Sequence, residues 1–415
     1  MKILLTNLMK SFKIILLIGV LIRLILMPIT AHSDLWALYF SGHFFAFNGV
    51  FNIYDYLAYL PSNADLLKNY GANFFTYPPL TYYIFGIFTS LLKPVLNADI
   101  AGWIIANYPR IYNNPAIYQE LFLFKLPYLF IDIGTAFVLT GLLKSPASKK
   151  LIFTLWMINP LTLYSTFMVG QFDILPVFFV VLALYLVSKE KKYLSVLSIG
   201  IGGALKMFPL LFLPFFVFSL GKNWKDKIGL GLVGLLPYFI TILPFLESSA
   251  FRQNVLFSQQ SQKMLFMTLP VSGAEGVIIF VLVLTFFYLY NFYNQKRFEI
   301  WQDILMTLLL FFSVTHYHPQ WFLWITPFLF LFLVGNFYKR ILLVVILFVC
   351  WFGITLLFES SLSYGLFNPL LPDLNQTISL SDIPGKYTNI FQFKSLVRSI
   401  FAGVSLFSIF KYEQN

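Results

Sequence analysis

Repeated long apolar runs constrain this chain more than any other feature. A membrane span needs roughly 17–25 mostly apolar residues, and stretches of that kind recur from residue 12 to residue 411. Of the 415 residues, 59% are hydrophobic and only 11% are charged, whereas a soluble chain carries about a quarter charged residues. Too few polar side chains remain to cover a water-exposed surface. We therefore expect a polytopic, all-α bundle of transmembrane helices.

The apolar runs predict about twelve spans. The stretch 194–220 is too long for one span and is interrupted by Lys206 and Pro209, so we expect two short helices that meet at Lys206. The run 77–93 would invert the later topology if it crossed the membrane, and we expect it to be half-inserted or re-entrant. The remaining helices are expected near residues 12–31, 119–141, 150–168, 172–188, 228–246, 270–293, 301–316, 319–336, 341–358 and 395–411.

The distribution of Lys and Arg orients this bundle. Basic clusters such as 144–150, 189–192 and 222–227 all fall in connections on one side, which the positive-inside rule assigns to the cytoplasm. Both termini are then cytoplasmic, in a bacterial plasma membrane, and three longer loops are non-cytoplasmic, namely 32–118, 247–269 and 359–394. We expect one integral membrane domain over 1–415, with a catalytic module over 12–220 and additional spans over 228–411.

Charge and cysteine content exclude several function classes. The net charge of +11 is spread in small clusters between apolar runs, so we expect no nucleic-acid partner. The lone Cys350 excludes an intrachain disulfide and a Cys-x-x-Cys site. We expect no cofactor. A divalent metal is possible but unsupported, because His316 and His318 are two residues apart in a Pro-containing turn with no Asp or Cys beside them.

The first external loop carries the leading catalytic candidate. Asp34 follows the first predicted helix directly, and an aromatic-rich stretch leads from it to Tyr77-Pro78-Pro79. A carboxylate at the membrane surface can accept a proton from a sugar hydroxyl, and aromatic faces can stack on sugar rings. The alternative is that Asp34 is a solvent-exposed residue at a helix end and that the aromatic residues form an interfacial belt.

A second candidate lies in the tight turn that contains Gly170, Gln171 and Asp173. Gly170 permits the turn, and either Asp173 caps the next helix or Gln171 and Asp173 contact a substrate. His316, His318 and Gln320 lie in a further external hairpin, where hydrogen bonds to a sugar or a pyrophosphate are the functional alternative to a structural role.

Charged residues inside predicted spans are a sharper signal, since each costs at least a few kcal/mol near the bilayer centre. Lys206, at the broken helix, could hold the phosphate of a lipid carrier, or it could extend to the interface. Arg252, in the second external loop, could assist it. Lys125 and Asp132 are two turns apart on one helix, too far for a direct pair, so each is expected to pair with another helix. Arg23 is expected to reach the cytoplasmic interface.

Taken in order, these motifs resemble the GT-C class of membrane glycosyltransferases, and within it GPI mannosyltransferase I and bacterial polyprenyl-phosphate-mannose-dependent mannosyltransferases. The family has an acidic pair, Asp-x-Asp, where this chain has Asp34 and then Trp36, which leaves Asp34 as the sole acid of that motif. The likeness covers roughly residues 12–335. It is carried by Ser33-Asp34-Leu35-Trp36, Thr76-Tyr77-Pro78-Pro79-Leu80, Lys125 with Asp132, Leu155-Trp156-Met157-Ile158-Asn159-Pro160-Leu161, Gly170 with Asp173, Ala204-Leu205-Lys206-Met207-Phe208-Pro209 and Gln320-Trp321-Phe322-Leu323-Trp324.

The resemblance implies an inverting transfer of a hexose, mannose first, from a polyprenyl-phosphate donor to a lipid- or glycan-linked acceptor. It implies Asp34 as the base, Lys206 and Arg252 at the donor phosphate, and Tyr77, Gln171, Asp173, His316, His318 and Gln320 at the substrates, with membrane lipids as further partners. Two alternatives remain. One is a ligase or polymerase of surface polysaccharide, and the other is a flippase or transporter of lipid-linked sugar, although transporters tend to show two similar halves.

Overall fold

The structure is a computed structural model, and it describes residues 12–71, 73–294, 299–372, 374, 379–387 and 389–413. Within these ranges the chain is almost entirely helical. The helices of six residues or more are α1 (Phe12–Ile29), α2 (Asp34–Asn48), α3 (Ile53–Tyr59), α4 (Asp65–Tyr70), α5 (Pro79–Leu92), α6 (Ile100–Ala106), α7 (Ala116–Gly141), α8 (Pro146–Met157), α9 (Ile174–Ser188), α10 (Lys192–Leu205), α11 (Leu213–Leu220), α12 (Trp224–Ile242), α13 (Ile279–Tyr293), α14 (Ile300–Val314), α15 (Thr326–Gly335), α16 (Phe337–Leu356) and α17 (Ile390–Glu413).

Shorter turns connect these helices. Single α-turns lie at Pro160–Thr162, Ser249–Phe251, Gln259–Gln262 and Asp382–Gly385, and π-helical turns lie at Leu163–Met168 and Arg252–Leu256. Segments of 3-10 helix lie at Lys93–Val95, Ile111–Asn113, Phe208–Phe212, Leu243–Phe245, Lys263–Leu265, Pro319–Trp324, Ser360–Leu362 and Tyr364–Phe367. The strands β1 (Thr268–Pro270) and β2 (Gly276–Ile278) form one antiparallel hairpin.

Asparagine side chains set several helix boundaries by capping the first turn. The side chain of Asn52 accepts a hydrogen bond from the backbone N–H of Asp55 at the start of α3, and Asn223 does the same for Asp226 at the start of α12. Asn159 accepts from the N–H of Leu161 just before Pro160. Since proline cannot continue the preceding helix, this cap ends α8 and starts the turn that leads into the π-helical segment.

Six helical segments are long and apolar enough to cross a membrane, and the number is seven if the bent pair of α5 and α6 is one span. The six are α1, α7, α8 with its continuation to Met168, α12 with its continuation to Phe245, α16, and α17 to Phe410. Six shorter apolar helical segments, among them α9, α10 and α13, coincide with the other predicted spans. The chain therefore has an all-α membrane fold, and the number twelve stays a prediction.

The segment predicted to re-enter the membrane is bent in the structure. α5 continues into the turn Lys93–Val95, and the chain then bends by 111° before α6. This shape fits either a broken span or a re-entrant segment, so the choice between them stays a prediction. The predicted division of 194–220 is confirmed, because α10 ends at Leu205 and the 3-10 segment starts at Phe208.

Two predictions about the helices are wrong. The helix expected over 270–293 begins only at Ile279, because residues 268–278 form the β-hairpin with the Ser272-Gly273 turn region between its strands. Arg23 does not reach toward an interface. Its guanidinium is fully buried and its Nε donates to the carboxylate of Asp132 on α7 at 2.5 Å. Asp132 supplies the opposite charge on a neighbouring helix, and the pairing lowers the cost of burying both groups.

The bundle packs most extensively where α10 lies between α9 and α12 and where α2 lies against α5. A Cβ on Gly200 of α10 would come within 2.1 Å of the Gly234 carbonyl oxygen on α12, so the two backbones touch at these glycines. Small residues allow this close approach between membrane helices. The contacts of α10 hold its last turn in place. Lys206, which follows that turn, therefore lies near the segments that come after α1 and α8.

Candidate functional site

Asp34 is the first residue of α2 and lies in a recess. Its side chain is 40% exposed, although its neighbours His32, Gln171 and Gln320 are buried. The carboxylate oxygen Oδ2 accepts hydrogen bonds from Gln171 Nε2 at 3.1 Å and from Gln320 Nε2 at 3.3 Å. The other oxygen, Oδ1, lies 3.5 Å from His32 Nδ1. Three segments distant in sequence thus converge on one accessible carboxylate.

The residues around Asp34 stabilise its negative charge. Burial by itself would raise its pKa, but the nearby imidazole of His32, the His318 ring and the Gln171 hydrogen bond outweigh burial and lower the pKa to about 2. The pKa of His32 is raised: burial lowers it, and the charge and hydrogen bond of Asp34 together with the charge of Glu359 outweigh that effect. Asp34 is therefore ionised at neutral and at mildly acidic pH.

Gln171 connects Asp34 to the second aromatic motif. Its Nε2 also lies 3.4 Å from the hydroxyl oxygen of Tyr77. The turn that presents Gln171 depends on Gly170, which has φ +80°, a backbone region that side chains with a Cβ rarely adopt. A Cβ at Gly170 would also come within 2.4 Å of Leu35 Cδ1. The predicted role of Gly170 in this turn is confirmed.

Lys206 lies at the break between α10 and the 3-10 segment that follows it, and its side chain is only 15% exposed. Its Nζ donates to Asp173 Oδ1 at 2.6 Å. The same oxygen accepts from Trp324 Nε1 at 2.6 Å, and the Asp173 side chain makes no bond that caps α9. The Lys206 Nζ also lies 5.3–6.0 Å from the centres of four aromatic rings, those of Tyr77, Phe172, Trp321 and Trp324.

The predicted hairpin between α14 and α15 joins the same region. The Nε2 of His318 lies 2.8 Å from Lys263 Nζ, and the His318 ring packs 5.4 Å from that of Trp321. Burial, aided by nearby cations such as Lys263, lowers the pKa of His318 to about 4. The imidazole is thus neutral, and its Nε2 accepts a hydrogen bond from the Lys263 ammonium. His316 is exposed, and its ring lies 6.2 Å from that of His318.

Within the described part of the chain, three buried polar atoms at this site have no hydrogen-bond partner. They are His32 Nε2, Asp173 Oδ2 and Gln320 Oε1. Each belongs to a side chain whose other polar atom is engaged with the cluster around Asp34 or Lys206. Leaving a buried donor or acceptor unpaired costs about 1–3 kcal/mol, so a cluster of three favours a ligand rich in hydroxyl groups, which supplies both donors and acceptors.

Residues 75–315, more than half of the chain, match the family model of glycosyltransferase family 87. The chain belongs to this family. It is therefore a polytopic membrane glycosyltransferase, and it acts on a sugar donor and an acceptor. Neither the curated proteins nor the solved structures contain a match to the chain.

The matched region of this family 87 glycosyltransferase contains Tyr77, Gln171, Asp173 and Lys206, whereas Asp34 precedes it and the His316 hairpin follows it. The structure nevertheless places Asp34, Tyr77, Gln171, Asp173, Lys206, His318 and Gln320 in one connected cluster. Their roles stay predictions. Arg252 is exposed and donates to the Leu246 carbonyl oxygen, and in the described chain no contact connects it with Lys206.

Sequence reasoning gave no role to His32, Phe172, Trp321 or Trp324, although all four lie at the site. His32 is two residues from Asp34, and Trp321 and Trp324 follow Gln320, so proximity to the predicted residues was the available signal. Among the described residues no group of three His, Cys, Asp or Glu side chains is placed to hold a metal ion.

Proposed function

We propose that this family 87 glycosyltransferase moves a hexose, mannose in the first instance, from a polyprenyl-phosphate donor to a lipid- or glycan-linked acceptor on the non-cytoplasmic face. The observation that carries the proposal is the accessible Asp34 carboxylate. It is ionised, it is held by Gln171 and Gln320, and it is connected through Tyr77 to the aromatic surroundings of Lys206.

In the proposed reaction Asp34 is the general base. The oxygen of an acceptor hydroxyl forms a bond to the anomeric carbon of the donor, and the hydroxyl then donates its proton to the carboxylate. The bond between that carbon and the phosphate oxygen breaks, the lipid phosphate leaves with the electron pair, and the configuration at the anomeric carbon inverts. A pKa of about 2 makes Asp34 a weak base at rest, so proton transfer follows oxygen–carbon bond formation, which makes the hydroxyl proton acidic.

The lipid phosphate is proposed to leave beside Lys206. A cation placed where negative charge develops stabilises the transition state most in a site that excludes water, and Lys206 is only 15% exposed. Its pair with Asp173 sets the position of the ammonium, and the surrounding rings of Tyr77 and Trp321 provide apolar surface for the first part of the prenyl chain. The donor's negative phosphate would then share the ammonium with Asp173.

The unpartnered atoms offer a rationale for sugar recognition. Asp173 Oδ2 and Gln320 Oε1 are acceptors that sugar hydroxyls can satisfy. A site built to bond a hydroxyl discriminates strongly against an analogue that lacks it, because the buried acceptor is then left unpaired. We therefore expect Asp173 and Gln320 to govern which hexose is transferred.

The test is transfer of labelled mannose from polyprenyl-phosphate mannose by the purified full chain in liposomes that contain a membrane-lipid extract as the source of acceptor. Asp34→Asn keeps the size of the side chain and removes the base, so transfer should fall at least about 100-fold with unchanged thermal stability. The matched control is Asp65→Asn, which removes a largely exposed carboxylate from the same region and should leave transfer unchanged.

Undiminished transfer by Asp34→Asn would exclude the assigned base. Movement of the lipid-linked sugar across the bilayer without cleavage of its phosphate–sugar bond would support the flippase alternative instead. Transfer from a nucleotide sugar in place of the lipid-linked donor would retain the glycosyltransferase assignment and reject the polyprenyl-phosphate donor.

A further inference from the structure

A second group of cations lies beside the site and has no role in the chemistry proposed above. Lys263 comes from the turn before the β-hairpin, and Lys394 and Arg398 lie one turn apart on α17. All three are half-buried. Within the part of the chain that the structure describes, the ion pairs involve other residues, and no carboxylate lies within ion-pair distance of Lys263, Lys394 or Arg398.

These cations surround the two histidines of the hairpin. Lys263 Nζ contacts His318 Nε2 at 2.8 Å. The Phe358 ring lies 5.2 Å from Lys394 Nζ and 6.3 Å from the His316 ring. Arg398 lies 5.0 Å from the Tyr317 ring. One of its five N–H groups donates to the Thr315 carbonyl oxygen at 3.4 Å. The three cations thus lie around the hairpin that contains His316 and His318.

Unpaired cations held together repel one another, and the histidines between them respond to that repulsion. Burial, with Arg398, Lys263 and Lys394 in that order, lowers the pKa of His316 to about 4. Three cations and two neutral imidazoles offer many N–H donors, and among the described residues no carboxylate forms an ion pair with these cations. A multiply charged oxyanion satisfies such a group through charge-assisted hydrogen bonds, which are roughly twice as strong as neutral ones.

The cluster is continuous with the proposed active site. The ring of Trp321 lies 5.4 Å from Lys263 Nζ and 5.6 Å from Lys206 Nζ, so the paired and the unpaired ammonium groups share one aromatic neighbour. Asp34 acts electrostatically on both Lys263 and His318. An anion held by the cluster therefore lies beside Asp34, the base proposed to activate the acceptor.

We propose that Lys263, Lys394 and Arg398, with His316 and His318, form a second phosphate-binding site, and that it holds a phosphate or pyrophosphate group of the acceptor. The inference rests on the proposed function, because it needs two substrates that meet at Asp34. The donor phosphate occupies the region of Lys206, and the acceptor phosphate occupies this second cluster. The ring of Trp321 connects the two regions, because it contacts both Lys206 and Lys263. The acceptor is accordingly an anionic lipid-linked molecule rather than a neutral glycan.

The experiment measures equilibrium binding of labelled inorganic pyrophosphate to the full chain in phosphatidylcholine nanodiscs. Wild-type protein should bind it saturably, and Lys394→Gln/Arg398→Gln should weaken binding at least tenfold. Lys68→Gln removes an exposed external cation elsewhere and should leave the affinity unchanged. Equal binding by wild type and the double variant, or no binding by wild type, would overturn the proposal.

A competition arm assigns the anion to one substrate. Polyprenyl-phosphate mannose should not displace pyrophosphate from the wild-type cluster, and competitive displacement would make this the donor site and reject the acceptor assignment. Displacement by phosphatidylglycerol added to the nanodiscs points to a phospholipid acceptor, and displacement by farnesyl pyrophosphate points to a prenyl-linked one. Both results support the proposal.

The outcome is separable from that for the proposed function. If pyrophosphate does not bind but Asp34-dependent mannose transfer is observed, only the second phosphate site is wrong. If pyrophosphate binds as expected but no transfer from polyprenyl-phosphate mannose depends on Asp34, the site stands and the proposed donor or base is wrong.

Discussion

The Nζ of Lys206 donates to Oδ1 of Asp173 at 2.6 Å, in a position where the carboxylate is fully buried and the ammonium only 15% exposed. Trp324 donates to the same oxygen. The pair joins the break after α10 to the start of α9, and it is surrounded by aromatic rings rather than by water. A charge pair in such a place is coupled far more strongly than a pair on the surface.

Replacing Lys206 by Met should therefore destabilise the fold by about 3–5 kcal/mol, because it leaves the Asp173 carboxylate buried without a counter-charge. Lys206→Met/Asp173→Asn should be more stable than Lys206→Met alone, since the neutral amide keeps an acceptor for Trp324 and removes the unpaired charge. Thermal unfolding in detergent measures both. Lys68→Met, in an exposed pair with a 4.0 Å separation, is the control and should change stability by less than about 1 kcal/mol. A Lys206→Met variant as stable as wild type would show that the pair is not coupled.

His32 should control the acid limb of the pH–rate profile. The pKa of Asp34 is depressed to about 2, below its ordinary value of about 3.9. The stabilisation that the ionised carboxylate contributes is thus complete when the pH is above the ordinary pKa. It is lost as the pH falls through the depressed pKa. His32→Gln removes a principal cause of the depression and leaves burial, which raises the pKa, so the loss of activity in acid should begin at a higher pH.

The comparison variant for this prediction is His43→Gln. His43, on α2, also has a buried imidazole, but the neighbours of its ring are Tyr39, Phe44 and Phe47 rather than Asp34. It should leave the acid limb where it is in the wild type. Superimposable acid limbs for wild type and His32→Gln would mean that His32 does not set the ionisation of Asp34.

Gly170→Ala should destabilise the fold more than an alanine substitution at a glycine that also has a positive φ but lies in open space. Gly170 and Gly49 both have a positive φ, +80° and +65°, but a Cβ on Gly49 meets nothing within 4 Å, whereas a Cβ on Gly170 lies 2.4 Å from Leu35 Cδ1. Gly49 lies in the left-handed helical region, so Gly49→Ala should lose only the backbone contribution of roughly 1–2 kcal/mol. Gly170→Ala should also displace Leu35, next to Asp34. Lower mannose transfer and a lower unfolding temperature for Gly170→Ala than for Gly49→Ala are the expected results, and equal effects would contradict the packing argument.

The parts of the fold that follow from local patterns were predictable. Apolar runs gave the helices, and Lys206 with Pro209 gave the break after α10, because a charge and a proline both interrupt a span. The hairpin at 268–278 was missed because its residues, such as Leu269, Val271 and Val277, are as apolar as those of a span. Hydropathy does not distinguish a β-hairpin of this composition from the first turns of a helix.

The partners of buried charges were not predictable, since pairing is decided by helix packing. Nothing local distinguishes Arg23, which pairs with a residue 109 positions away, from an arginine that reaches the interface. The site shows the same limit. Asp34, Asp173 and Lys206 stood out as charges in apolar surroundings, but the pairing of Lys206 with Asp173 and the contact of Lys263 with His318 needed the folded chain. Arg252, which was predicted to assist Lys206 from the second external loop, lies apart from the cluster.

Lys125 should hold both segments that flank Asp34. Its ammonium is fully buried and donates to the carbonyl oxygens of Met27, Thr30 and Phe167 at 2.9, 2.5 and 2.8 Å. Two of these acceptors are at the end of α1, before His32 and Asp34, and the third precedes the Gly170 turn. Lys125→Met keeps the apolar length of the side chain but removes this donor from three carbonyl groups. The Phe167 oxygen keeps a hydrogen bond from Thr30 Oγ1, and each carbonyl group that is left unpaired costs about 1–3 kcal/mol.

The expected result is faster hydrogen exchange at the amides of residues 31–36 and of residues 168–171 together, with a lower rate of mannose transfer. Lys192→Met is the control, because Lys192 pairs with Asp226 at the opposite end of α10 from Lys206, and it should leave exchange in both segments unchanged. Faster exchange in only one of the two segments would show that Lys125 supports that segment alone. No change in either would show that the bundle positions Asp34 and Gln171 without it, because the remaining contacts of α1 and α7 would then be sufficient.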